Sequence, residues 1–315
     1  TYLFNKLVDS ELIEDELIRK ELFAYFPAVI RERYPDYIRN HPLGKEILAA
    51  QITNQVANRM GSTFCNNLLE VKNTDATRWV KSHIAARETF RTAELGQEIE
   101  ALGFTVSNDL QMELYLKLHF PMEKAAHWLL NHTDETFDTQ KMVENFTPWV
   151  NHLKDNLTQL LTEEEVRAYQ HAVSGLTDKG VPTELAQKLS ALEYLYPALD
   201  IAVIANFDHQ QMDRVVTTYF TLNGDLNVFW LRRYLNSIPN YDRWHRKAKD
   251  AMSKNMDHAV RNQAERLLSR RSDEPVDSLP IGCEDYAELI NEIKATPNPS
   301  LATITVVIEQ IDTLS

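Results

Sequence analysis

The sequence predicts an all-α fold, a multi-helix bundle of two packed subdomains, from three observations: scarce glycine, apolar residues at steps of three and four, and recurrent capping pairs. Only eight glycines occur in 315 residues, against an average usage of about 7 %, which leaves little material for β-turns or phosphate loops. The apolar spacing is clearest at Met142, Phe146, Trp149, Val150, Leu153, Leu157, Leu160 and Leu161, one stripe of an amphipathic helix. Pro148 lies within it and marks either the first turn of a helix starting near Asn145 or a kink. Thr162 with Glu165, and Asp208 with Gln211, each set a capping side chain three residues before a partner that can reach back. The first pair leads into Val166, Tyr169 and Val173, and the second into Met212, Val215, Val216, Tyr219 and Phe220.

Further helices are expected near 10–24, 27–38, 43–60, 75–91, 107–119, 121–131, 184–205, 225–237, 241–270, 284–295 and 299–313. Ile201 to Ile204 and Ile304 to Ile308 could be read as strands, and both fit buried helix segments better. Two stretches have the composition of joints: Gly175 to Pro182, and the proline- and acid-containing Ser272 to Gly282. The expected division is therefore an N-terminal helical subdomain over 1–174, a second over 183–271, a linker over 272–283 and a C-terminal helical segment over 284–315. No repeat of fixed period is evident, which argues against a regular solenoid.

Acidic residues outnumber basic ones 46 to 33, for a net charge of −13, which opposes the cationic surface that nucleic-acid binding requires. No run approaches the roughly 18 apolar residues of a membrane span, and no signal peptide opens the chain. The expectation is a cytoplasmic protein with neither nucleic-acid nor membrane partners. The sequence starts at Thr1 inside a plausible helix, without an initiator methionine, and so reads as a segment of a longer chain. Cys65 and Cys283 are the only cysteines, too few for a disulfide framework or a four-cysteine zinc site.

Closely spaced glycines for a dinucleotide fold and a GK[ST] phosphate loop are both missing. His127 and His132 are five apart, which on a helix turns them about 140° from each other, a poor arrangement for a shared metal. A nucleophile at Cys65 or Cys283 would need a positioned histidine base, which the sequence does not identify. Glu163, Glu164 and Glu165 open a helix, where they favour its dipole. Trp128, Trp149, Trp230 and Trp244 fit core or interface anchors better than a ligand cage. No catalytic, cofactor-binding or metal-binding residue is assigned.

One segment stands out. On a helix from Leu43 to Met60, one side gathers Ala49, Ile52, Val56, Ala57 and Met60, and the other Gln51, Asn54, Gln55 and Asn58. That second face is amide-rich and uncharged, where a solvated face would ordinarily carry lysine or glutamate. It is an exposed polar face, a buried amide network between helices, or a surface docked on another domain. Gln51, Asn54, Gln55, Asn58 and the neighbouring Arg59 are the candidate interdomain packing residues, and Gly61 suits the helix end.

These residues also carry a resemblance. Tyr25-Phe26-Pro27, Ile30-Arg31-Glu32-Arg33-Tyr34, Ile47 to Asn54 and Asn58 to Phe64 resemble the C-terminal helical region of the bacterial large NAD-specific glutamate dehydrogenases. Leu192 to Ala202, Tyr219 to Leu222, Leu231-Arg232-Arg233 and Asp242-Arg243-Trp244 resemble its later part, so that the similar segments cover most of residues 10–270. Ser62 stands where the family usually has proline, and no matching pattern follows Ser272. The resemblance implies a parent enzyme that converts L-glutamate, NAD and water to 2-oxoglutarate, ammonium and NADH in a dehydrogenase domain lying N-terminal to this region. It implies NAD as the parent's cofactor and none for this fragment, the catalytic domain of the same chain as partner, and a homo-oligomeric parent. Two roles are expected for the region itself: structural support through oligomer or interdomain packing, or regulation through a bound effector.

Overall fold

The computed structural model describes residues 2–56, 75–133, 137–270, 283–296 and 300–314. Among these every regular element is helical, as the glycine poverty and apolar spacing predict. The early helices are α1 (Tyr2–Val8), α2 (Glu16–Tyr25), α3 (Ala28–Arg33), α4 (Pro35–Arg39) and α5 (44–56). Then come α6 (Ala76–Thr89), α7 (Thr92–Ala101), α8 (Asn108–His132), α9 (Thr139–Leu160), α10 (Glu163–Thr177) and α11 (Thr183–Leu195). The last are α12 (Ala198–Ile204), α13 (Met212–Asp225), α14 (Val228–Ser237), α15 (Arg243–Arg270), α16 (Cys283–Ala295) and α17 (Leu301–Thr313).

Proline accounts for several differences from the sequence expectation, while α1 and α7 are helices that the expected ranges did not include. The helix expected over 27–38 is divided into α3 and α4, because Pro35 disfavours helical backbone at Tyr34 and is itself accommodated as the first residue of α4. The one expected over 184–205 is interrupted at Tyr196 and Pro197. Pro121, by contrast, lies inside the continuous α8, where separate helices were expected over 107–119 and 121–131. Leu114, Leu118, Met122, Ala125, Ala126 and Leu129 form one buried stripe through the proline. That packing on both sides outweighs the missing hydrogen bond. Pro148 is likewise interior to α9, which starts at Thr139 rather than near Asn145.

The capping pairs behave as expected. The Thr162 backbone N–H donates to Glu165 Oε2 at 2.9 Å, and the Glu165 N–H donates to Thr162 Oγ at 3.4 Å. Asp208 accepts from the Gln210 N–H and from Gln211 Nε2, both at 3.0 Å, and opens a short 3-10 turn leading into α13.

The chain forms two compact units. The first comprises Thr1–Asn151 with Ala172–Leu199, and the second His152–His171 with Asp200–Ser315. The stretch Gly175 to Pro182 lies within the first unit, and the expected linker lies almost wholly outside the described residues.

In the first unit α6 packs along α8, which also meets α7 and α11. One core cluster joins Leu7, Ile18, Leu22, Ile38, Ile52 and Trp79, and another joins Ile99, Leu114, Leu118, Leu185 and Leu189. Each fully buried side chain of this kind contributes about 1.5–3 kcal/mol. In the second unit α15 packs against α17 and α13, with Met256, Val260, Ala264, Ile304, Val307 and Ile311 buried. No helix among the described residues is long and apolar enough to cross a membrane.

Candidate functional site

The apolar side of α5 is buried as expected, with Ala49 1 %, Ile52 3 % and Val56 1 % exposed. Its amide side is not uniform: Asn54 is exposed, whereas Gln51 and Gln55 are half-buried. Asn58 and Arg59 lie outside the described residues, as do Ala57, Met60 and Cys65.

Gln55 belongs to a buried polar clamp that ties three helices of the first unit. Its Nε2 donates to Glu21 Oε2 on α2, while its Oε1 accepts from Arg87 Nη1 on α6 at 3.1 Å. Arg87 Nη2 donates to Glu21 Oε1 at 2.5 Å, and Arg87 also donates to Glu88 from Nη2 at 2.8 Å and from Nε at 3.0 Å. The side chains of Arg87 and Glu21 are 8 % and 9 % exposed. Burial alone would lower the guanidinium pKa, but the charge and hydrogen bond of Glu21, with those of Glu88, outweigh it and leave the group raised. An amide is the side chain that fits between these ions, because it donates to the carboxylate and accepts from the guanidinium at once.

The second unit holds a different buried cluster. Arg232 on α14 donates to Asp257 on α15, and Arg261 on α15 pairs with Asp200 on α12 at 3.5 Å. Arg261 also donates to Glu265 at 3.1 Å. Tyr219 of α13 is buried near these charges: burial, and then Asp200 and Asp257, push its phenol well above the usual range, against the opposing pull of Arg232. Three segments quoted for the family resemblance meet here, through Asp200, Tyr219 and Arg232.

Other cations tie off helix ends, where carbonyls lack intrahelical partners. Arg78 Nη2 donates to the carbonyls of Leu130 at 2.7 Å and Thr133 at 2.6 Å at the end of α8. Lys249 donates to Asn236 and Ile238 carbonyls at the end of α14, and Arg214 to Leu268 near the end of α15. At the end of α17, Gln263 donates to the carbonyls of Ile311 at 2.6 Å and Leu314 at 3.0 Å, and Arg266 to that of Asp312 at 2.8 Å.

His127 and His132 make separate contacts: His127 lies 3.9 Å from Glu123, and His132 stacks on Trp128 and bonds its carbonyl at 2.8 Å. Glu163, Glu164 and Glu165 occupy the first turn of α10. Among the described residues no group of three or more His, Cys, Asp and Glu is placed to hold a metal ion. Trp149 and Trp128 are core residues, Trp230 is half-buried and Trp244 is 61 % exposed.

A family described as "Glutamate dehydrogenase, C-terminal" matches residues 1–313. The chain belongs to this family. Among curated relatives, proteins named NAD-specific glutamate dehydrogenase from Halomonas elongata and Pseudomonas aeruginosa are each 27 % identical to it, over 80 % and 81 % of this chain. A protein of the same name from Mycobacterium tuberculosis is 25 % identical over 98 % of it. The matched regions span 16 % of the first two relatives and 20 % of the third. The Glu21–Gln55–Arg87 clamp and the Asp200–Tyr219–Arg232 cluster are thus features of a C-terminal glutamate dehydrogenase region. Of the candidate packing residues, only Gln55 pointed from sequence to the clamp. Glu21 and Arg87 carried no signal, because each looks like an ordinary surface ion until three helices are brought together.

Proposed function

We propose that this region is a non-catalytic helical framework of a large NAD-dependent glutamate dehydrogenase, supporting its catalytic domain by interdomain packing and bracing a homo-oligomer. In that enzyme L-glutamate, NAD and water yield 2-oxoglutarate, ammonium and NADH, and the nicotinamide chemistry belongs to a dehydrogenase domain N-terminal to this region. The observation that carries the reading is where the buried and half-buried polar side chains are spent. Arg87, Gln55, Arg78, Gln263, Arg232 and Arg261 each bind a neighbouring helix of their own unit. Such groups hold helices at fixed positions. Exposed apolar residues support the packing role: Met112, Leu116 and Phe120 recur every fourth residue on α8 and are 61 %, 45 % and 62 % exposed. Gln51 and Asn54 remain the proposed interdomain contacts of α5.

Deleting this region from the parent enzyme tests the proposal by sedimentation and by glutamate-dependent NADH formation. Loss of assembly together with reduced turnover is expected, and an unchanged enzyme would overturn the reading. One observation favours a second, effector-binding role. A groove of about 410 Å³ in the second unit is lined by Met252, Asn255, His258, Ile308, Glu309 and Asp312, within the size range of small-molecule sites. Calorimetry with amino acids and nucleotides tests that reading, and heat of binding that disappears in Glu309→Gln supports it.

A further inference from the structure

The start of α15 carries an aromatic and basic surface within an acidic chain. Residues 243–249 hold four of the 33 lysines and arginines. Arg243, Arg246 and Lys247 are exposed and fall on one helix face at steps of three and four. Trp244 is 61 % exposed and Tyr241 75 %. Two cations lie over the indole ring, the Arg243 guanidinium 4.6 Å and the Lys247 ammonium 5.4 Å from its centre. Asp242 is occupied locally: it accepts from the backbone N–H groups of Trp244 and His245, both at 2.8 Å. The first turn holds no acidic residue, so the cations stand at the positive end of the helix dipole, where an acidic partner would relieve them. Tryptophan, tyrosine and arginine are also the residue types that dominate protein–protein contacts.

The complementary surface is on the same unit. Asp285, Glu288 and Glu292 are exposed and share a face of α16 at steps of three and four, and no ion pair engages them among the described residues. We propose that the Tyr241–Lys247 surface of one copy docks on the Asp285–Glu288–Glu292 face of a second copy. The chain's charge of −13 opposes random self-association, and setting these opposite patches together offsets that repulsion. Each copy carries both halves, and a two-fold pair would use the contact twice. This refines the oligomer-bracing part of the proposed function and does not require the catalytic domain.

Sedimentation of the 315-residue chain across a concentration series tests it. Reversible dimer formation is expected, weakening as salt rises from about 50 mM to about 500 mM and the Debye length contracts. Trp244→Ala, Arg243→Glu with Arg246→Glu, and Glu288→Lys with Glu292→Lys should each weaken dimerisation at least about tenfold, a change of about 1.4 kcal/mol. Mixing the two charge-reversed chains should restore a heterodimer, which shows that both remain folded. A chain that stays monomeric throughout, or dimers indifferent to all three changes, would overturn this contact. Loss of the parent's assembly on deleting the region would still leave the framework reading standing in that event.

Discussion

The two units bury charge in opposite ways. In the first, one guanidinium, Arg87, serves two carboxylates and the Gln55 amide, so three helices meet at a single cation. In the second, two arginines serve two buried aspartates, Arg232 at Asp257 and Arg261 at Asp200. Losing one arginine there leaves the other ion pair in place. Loss of Arg87 releases two carboxylates and an amide at once, and it leaves Glu21 in a site more closed to water than that of Asp257, whose arginine is itself 31 % exposed.

The largest expected effect follows from that contrast. Arg87→Met should cost about 3–5 kcal/mol in urea unfolding, because it leaves a buried unpaired carboxylate. Adding Glu21→Leu should recover most of the loss, since an apolar pair replaces an ion pair at little net cost. Arg232→Met should cost about 1.5–3 kcal/mol, because Arg232 is 31 % exposed and water can reach the Asp257 carboxylate that it leaves behind. Equal losses for Arg87→Met and Arg232→Met would erase the distinction between the units. Gln55→Leu should cost about 1–2 kcal/mol by removing one donor from Glu21 and one acceptor from Arg87. A loss as large as that of Arg87→Met would place the clamp's weight on the amide instead.

The smallest effect concerns pH. Burial holds the pKa of His119 in α8 below its ordinary 6.5. The unfolded chain therefore takes up a proton near that pH, while the native chain does so only at lower pH. The contribution is full above about 6.5 and is lost as pH falls below it. His119→Gln should flatten this part of the stability profile, measured by thermal unfolding between about pH 5 and pH 8.

Much of the helical fold was legible because its signals are local. Thr162 and Glu165 lie three residues apart, and the α9 stripe runs within one helix, so neither depends on the rest of the chain. Prolines were harder. Pro35 ends a helix and Pro121 does not, and what separates them is the packing of Leu118 and Met122, which sequence spacing alone does not weigh. The clamp was visible only through Gln55, since an uncharged residue in a helix face can be noticed without its neighbours. Glu21 and Arg87 are 66 positions apart and acquire meaning only in three dimensions.

That separation has a kinetic consequence. Helices α2, α5 and α6 must already have been brought together before Arg87 can reach Glu21, so the loop-closure entropy is spent before the clamp closes. Contacts completed after the folding barrier show up in the unfolding rate rather than the folding rate. A clamp that closes that late is expected to act as a latch on an assembled bundle: Arg87→Met should raise the unfolding rate more than it lowers the folding rate.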